Sequence, residues 1–183
     1  MSNQPKVPFE EFRQRFIEFK MRRWPRMVGR TALAVFDENF DNAGFTDKIF
    51  IRWKPRKGDT ANRGRRLGDG GHQSGRALLI KSGAMRRSMR IAYALPQTVA
   101  ITAGNQDVQY AGIHNEGGTI KTSIKVKAHS RESARAKAHT VKAHSRKVNT
   151  TIPRRQYMGS SEKLMDRVDR QFFDNLNQMW RAS

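Results

Sequence analysis

Among the residues that could do chemistry, His114 and Glu116 come first, inside Tyr110-Ala-Gly-Ile-His-Asn-Glu-Gly-Gly118. A histidine beside an acid can act as a general base. Nucleophilic or acid–base catalysis needs more than this pair. No serine, cysteine or second carboxylate joins them at a recognisable spacing, and the acids of the central region (Asp107, Glu116, Glu132) are scattered. The architectural alternative is that His114, Asn115 and Glu116 satisfy backbone groups at a corner or touch a neighbouring subunit. Tyr110, Ala111 and Ile113 form a short apolar helical turn running into the trio. Gly117 and Gly118 then permit positive φ and a sharp change of direction. The stretch is expected to be a helix-to-strand corner, with Glu116 a local ion-pair or hydrogen-bond partner.

Three further histidines, His129, His139 and His144, could be metal ligands. Their intervals match no helical zinc pair. The chain has no cysteine, and the surrounding Lys and Arg repel a cation. No metal, no cofactor and no enzymatic activity are expected.

Composition points to a polyanionic neighbour. The 183 residues carry a formal charge of +20, and the pI is near 11.3. Between Gly70 and Met158 there are sixteen Lys/Arg and three acids, a net of 16 − 3 = +13. The two ends hold most of the acids. Zero cysteines exclude disulfides and thiol chemistry. No apolar run is long enough for a membrane span and the N-terminus does not read as a signal peptide, so an intracellular origin without membrane partners is expected.

The elements that must position these residues follow in order. Pro8 to Arg23 is an amphipathic helix with Phe9, Phe12, Phe16 and Phe19 on one face, a core-packing stripe or, alternatively, a partner-binding surface. Trp24-Pro25 breaks or kinks it. A second helix runs from Pro25 to Asn42, with Val28, Ala32, Val35, Phe36 and Phe40 on its apolar face and a stop at Asn42-Ala43-Gly44. Lys48–Trp53 is β-like. Lys54–Arg76 reads as a solvated loop whose glycines form no phosphate-binding fingerprint. After apolar Ala77–Ile80, Ser82–Ser88 forms a turn and short helix. Met89–Leu95 and Thr98–Ala103 form an antiparallel hairpin, and Gly104–Asp107 turns into the Tyr110–Gly118 corner.

After Gly118 comes the clearest alternation. Ile120, Thr122, Ile124, Val126 and Ala128 share one face, against Lys121, Ser123, Lys125, Lys127 and His129 on the other. Val141, Ala143 and Ser145 alternate with Lys142, His144 and Arg146. The two runs share a repeat, Val126-Lys-Ala-His-Ser-Arg131 and Val141-Lys-Ala-His-Ser-Arg146, separated by an alanine-rich helical turn over Glu132–Ala138. Residues 119–148 are thus expected to form a two-stranded arm with an apolar-to-small face and a basic face. Residues 121–147 hold nine Lys/Arg and one acid. Lys121, Lys125, Lys127, His129, Arg131, Lys142, His144, Arg146 and Lys147 are the candidate contacts to a partner subunit or to DNA phosphates. A merely solvated surface is the third option. No aromatic residue is present for base stacking. Thr150–Gly159 is an extended connector. A final helix, Ser160–Trp180, is capped by Ser160 or Ser161 and buries Leu164, Met165, Val168, Phe172, Leu176 and Met179, with an Asp166–Arg170 ion pair on its surface.

Three motifs in fixed order carry a resemblance: Leu79-Ile-Lys-Ser-Gly-Ala-Met-Arg-Arg-Ser88, Tyr110–Gly118, and Ile152-Pro-Arg-Arg-Gln-Tyr-Met-Gly159. Together they resemble the phage virion-morphogenesis and tail-completion proteins of Mu-like and related tailed phages. That family shows a small-Gly-x-Leu-Arg-x-Ser turn, a Tyr-Ala-x-x-His-x-x-Gly-Gly corner and an Ile-Pro-x-Arg-x-Phe-x-Gly connector before a terminal helix. The helix ending Asn39–Gly44 and Trp53 are similar to the family's N-terminal half. Met85 stands where leucine is common, and Arg154 and Gln156 replace a small residue and a second proline. The basic arm is enlarged, so its role is not inherited from the resemblance.

The resemblance implies a structural virion protein at the head–tail junction or tail end. It would form a six-fold or twelve-fold homo-oligomeric ring beside other neck, connector or tail proteins, assembled in the host cytoplasm, with packaged DNA a further possible partner. A sequence-independent DNA-binding protein is the alternative. The expected fold is α+β in a single domain, 1–183. Residues 1–24 form an N-terminal helical extension, 25–118 a core with a mostly antiparallel central sheet, 119–148 the basic arm, and 149–183 the connector and a C-terminal helix packed on the sheet.

Overall fold

The computed structural model describes residues 9–55, 77–80, 82–133 and 136–181, of which residues 131–133 and 136–139 are described in backbone course only. The expected loop at Lys54–Arg76 lies almost wholly outside them. The fold is α+β, as expected, with every strand pair antiparallel.

The axis of the body is a long helical rod. Helix α1 (Phe9–Glu18) passes through a π-helical turn (Phe19–Arg23) into α2 (Trp24–Asn42). At Trp24-Pro25, where a break or kink is expected, the helix does not break but passes through that π-helical turn. Pro25 has no N–H to give, and the wider turn, in which the Trp24 N–H reaches the Phe19 carbonyl, accommodates the ring. Helix α2 ends on Ala43 in the left-handed region (φ 50°), whose N–H bonds back to Asn39 and Phe40.

Two elements pack along this rod. Helix α5 (Glu162–Arg181) starts where the Ser161 hydroxyl accepts the Leu164 N–H at 3.2 Å. It lies on the helices rather than on a sheet. Phe172 meets Phe16, Phe19 and Trp24, and Trp180 meets Phe12. The phenylalanine stripe of α1 is therefore packing, with Phe9 left exposed at its end. Glu38 of α2 accepts from Lys163 and Arg167 (2.9 and 2.5 Å), and these bonds, Arg167's first, hold its carboxyl below the usual range. Met165 is 52% exposed, against expectation, and Arg170 bonds the Asp166 carbonyl oxygen rather than its carboxylate.

The hairpin of β3 (Arg90–Leu95) and β4 (Thr98–Thr102) lies against α2 at Gly29, where an added Cβ would stand 2.6 Å from Ile91 Cδ1. A larger residue there would require the Ile91 side chain to move. Strands β1 (Gly44–Thr46) and β2 (Phe50–Arg52) form a second pair. There is no single central sheet among the described residues; the strands form four separate two-stranded pairs. Ala32, Val35 and Phe36 bury one cluster with Leu164, Ile101 and Met158 around them. Phe40, Trp53, Met85, Val108, Ala111 and Tyr157 bury a second.

Beyond the body runs the arm. Strand β5 (Gly118–Val126) pairs with β8 (His144–Ile152), and β6 (His129–Ser133) with β7 (Ala136–Val141). Glu132–Ser133 and Ala136–Ala138 are strand, not a helical turn, because they continue the two pairing runs toward the tip. The ribbon starts and ends in the corner and connector, so it spans 118–152 rather than 119–148.

Candidate functional site: the three-motif junction and the arm

The three sequence motifs converge on one buried residue. Tyr157, 1% exposed, sits in the second core cluster and donates its hydroxyl to the Ala111 carbonyl at 3.1 Å. Burial pushes that hydroxyl's pKa up to about 12, so it remains a donor at any ordinary pH. Around it the connector is pinned at successive positions. Arg155 N–H donates to the His114 carbonyl (2.8 Å), and Trp53 Nε1 to the Gln156 carbonyl (2.6 Å). Asn39 Nδ2 reaches the Tyr157 carbonyl (3.0 Å). Asn115 Oδ1 accepts both the Tyr157 and Met158 N–H groups (3.0 and 3.1 Å). The Arg155 guanidinium donates to the Lys54 and Pro55 carbonyls (2.9 and 3.2 Å). An irregular segment passing through a core must have its backbone groups satisfied this way.

The first motif closes the junction from the other side. Its short helix α3 (Ala84–Arg87) buries Met85 in the same cluster. Ser88 Oγ donates to the Met85 carbonyl (2.7 Å) and accepts the Gly104 N–H (2.9 Å), tying the motif to the end of β4. Arg86 forks onto α2, binding Asp37 through Nε and Nη2 and Asp41 through Nη1 and Nη2. The two carboxylates raise its pKa further.

The corner behaves as expected in outline. Helix α4 (Ala111–Glu116) ends on Gly117 at φ 77°, and Gly118 opens β5. A Cβ on Gly117 would meet the Arg154 nitrogen at 2.8 Å. The roles within the trio are unequal. Asn115 satisfies backbone. His114 is half-buried, packs edge-on to Tyr110 at 5.8 Å, and its Nδ1 has no hydrogen-bond partner among the described residues. Burial, and then the charge of Arg155, hold its pKa below 6.5. Glu116 is exposed, with no side-chain hydrogen bond or ion pair among the described residues, contrary to expectation. Two residues apart on a helix, His114 and Glu116 face different directions and do not form an acid–base pair. His114, Arg155, Tyr110, Met85 and Leu78–Ile80 line an open cavity of about 520 Å³.

The arm departs from expectation in its faces. Its register opposes Ile124 to Arg146 and Val126 to His144. Arg146 and His144 therefore share the face of Ile120 and Ile124, while Lys147, opposite Ser123, joins Lys121 and Lys125. The division into one apolar and one basic face fails because alternation within a strand does not set the register between strands. The repeat copies pair with each other. Val126 faces His144, His129 faces Val141, and both strands break at the equivalent positions, Lys127-Ala128 and Lys142-Ala143. In each copy the histidine Nδ1 donates to the lysine carbonyl, His129 to Lys127 at 3.0 Å and His144 to Lys142 at 2.9 Å. The two halves of the ribbon are thus related by a local two-fold. Arg131 opposes His139 in the backbone register of the outer half. Lys121, Lys125, Lys127, Lys142, Arg146 and Lys147 are exposed and have no ion-pair partner among the described residues.

Asn39, Asp37, Asp41 and Glu38 were not singled out from sequence. Asn39 was detectable as the polar member of the apolar stripe Val35, Phe36, Asn39, Phe40. Asp37 and Asp41, four apart, were detectable as an acidic face awaiting a cation.

No curated protein and no solved structure matches the chain. Residues 51–176 do match a family, and that span takes in all three motifs and the arm between them. By that match the chain belongs to the phage virion morphogenesis family, and its role is structural, in the assembly of a bacteriophage particle.

Proposed function

We propose that the chain is a non-enzymatic protein of head–tail joining or tail completion, assembling as a ring in which each arm reaches a neighbouring subunit. The observation that carries this reading is the ribbon of β5 and β8, exposed along both faces, with Ile120 and Ile124 40% and 45% exposed. A two-stranded ribbon is marginal in water by itself, and covering its isoleucines is favourable by about 25 cal/mol per Å². A neighbouring subunit or another neck, connector or tail protein supplies that cover. Six-fold or twelve-fold symmetry suits a ring at the tail axis, and the mature location is the virion, reached by assembly in the host cytoplasm. Light scattering on the purified chain, with the protein composition of purified virions, tests it. A multimer and presence in virions are expected. A monomer that is also absent from virions overturns the reading.

One observation favours a second reading, sequence-independent DNA binding: Lys121, Lys125, Lys127, Lys142, Arg146 and Lys147 are exposed and have no ion-pair partner among the described residues. It predicts affinity falling steeply with salt, with a shallower slope once Lys121, Lys125, Lys127, Lys142 and Arg146 are neutralised. Absent or salt-insensitive binding removes it.

A further inference from the structure

Helix α5 has a second face that nothing in the chain's described residues covers. Its inner side, Leu164, Val168 and Phe172, lies on the helical rod. Met165, Asp169 and Phe173 recur at intervals of four on the outer side, with Asp166 beside them. Met165 is 52% and Phe173 60% exposed. Asp166 and Asp169 are exposed too, and neither carboxylate has an ion-pair partner among the described residues. Arg170 is exposed on the same side, its Nε on the Asp166 carbonyl, so the stripe carries two carboxylates to one guanidinium; in a chain of charge +20, an apolar stripe with that acidic balance stands apart.

The arm has the complementary character. Ile120 and Ile124 share one ribbon face with Val148 and Arg146. The isoleucines lie about 13 Å apart at the rise of a strand. Met165 and Phe173 lie about 12 Å apart at the rise of a helix. The spacing of the two apolar pairs therefore matches, and each is flanked by unpaired charge of opposite sign. We infer that the outer stripe of α5 is the receptor for the arm of a neighbouring copy, with Ile120 and Ile124 covering Met165 and Phe173 and Arg146 approaching Asp166 and Asp169. This rests on the ring reading above and names the surface that closes it.

The absence of native cysteine permits a direct test on the full chain. Ile124→Cys and Phe173→Cys, both at exposed positions, are made in separately tagged copies, mixed, and oxidised mildly. A disulfide between the two kinds of copy, in preference to either like pair, is expected. Asp166→Lys with Asp169→Lys is expected to weaken self-association about tenfold or more, since like charges then meet, and Arg146→Glu on the arm to restore it. Circular dichroism confirms that each variant is folded. If the wild type assembles but the mixed disulfide does not form, or the charge reversal leaves assembly unchanged, this surface is wrong and the ring reading stands. If the wild type is monomeric and absent from virions, both fall.

Discussion

Asn115 accepts two backbone N–H groups of the connector through one oxygen. Removing that oxygen leaves both donors partly buried and unpaired, at a cost of about 1–3 kcal/mol each. Asn115→Ala should therefore lower the thermal midpoint by several degrees, and Asn115→Asp, which keeps an acceptor, should lose less. Gly117→Ala must put a Cβ at φ 77° against the Arg154 backbone. We expect a loss exceeding about 2 kcal/mol in chemical denaturation. His114 gives a pH signature. Its folded pKa lies below the ordinary 6.5, so the unfolded chain binds the proton more readily. The stability it protects is complete above pH 6.5 and declines as pH falls toward the folded value. Denaturation midpoints measured from pH 7.5 to 5 should fall in the wild type, and fall less in His114→Gln. At this scale the sequence showed where the corner lies, because two glycines mark it. It did not show which polar residue secures it, because Asn115 acts on a segment some forty residues away.

Helix α2 joins the first motif to the C-terminal helix through Asp37, Asp41 and Glu38. Arg86→Ala should cost about 1–2 kcal/mol, discounted for the partial exposure of the carboxylates. Arg86→Lys should recover less than half of it, since one ammonium cannot hold two carboxylates in a fork. Urea denaturation of both variants checks this. The arm makes the opposite prediction. Replacing residues 121–149 by a two-residue Gly-containing turn removes most of β5 and β8, which are already exposed. The melting temperature of the body should stay within about 2 °C while self-association is lost. The arm's existence was legible from its alternation. The way its faces combine was not, since a register in which even positions meet even positions places Arg146 beside Ile124. The continuous helix through Pro25 escaped reading for a similar reason: a π turn has no composition of its own.

Across the whole molecule, three short motifs far apart in sequence close one junction around Tyr157, and a ribbon rich in Lys and Arg leaves it. The α+β class and the order of elements could be read from periodicity and punctuation. The packing of α5 on helices could not, because an amphipathic stripe does not name the surface it covers. A body held together internally, from which a ribbon with both faces of β5 and β8 exposed extends, suits a protein of particle assembly. Electron cryo-microscopy of the purified oligomer or of the phage particle tests that most directly, by locating residues 118–152. The account predicts several symmetry-related copies about the tail axis, each ribbon lying on an adjacent copy. A ribbon folded back on its own body, or a particle that lacks the protein, would contradict it.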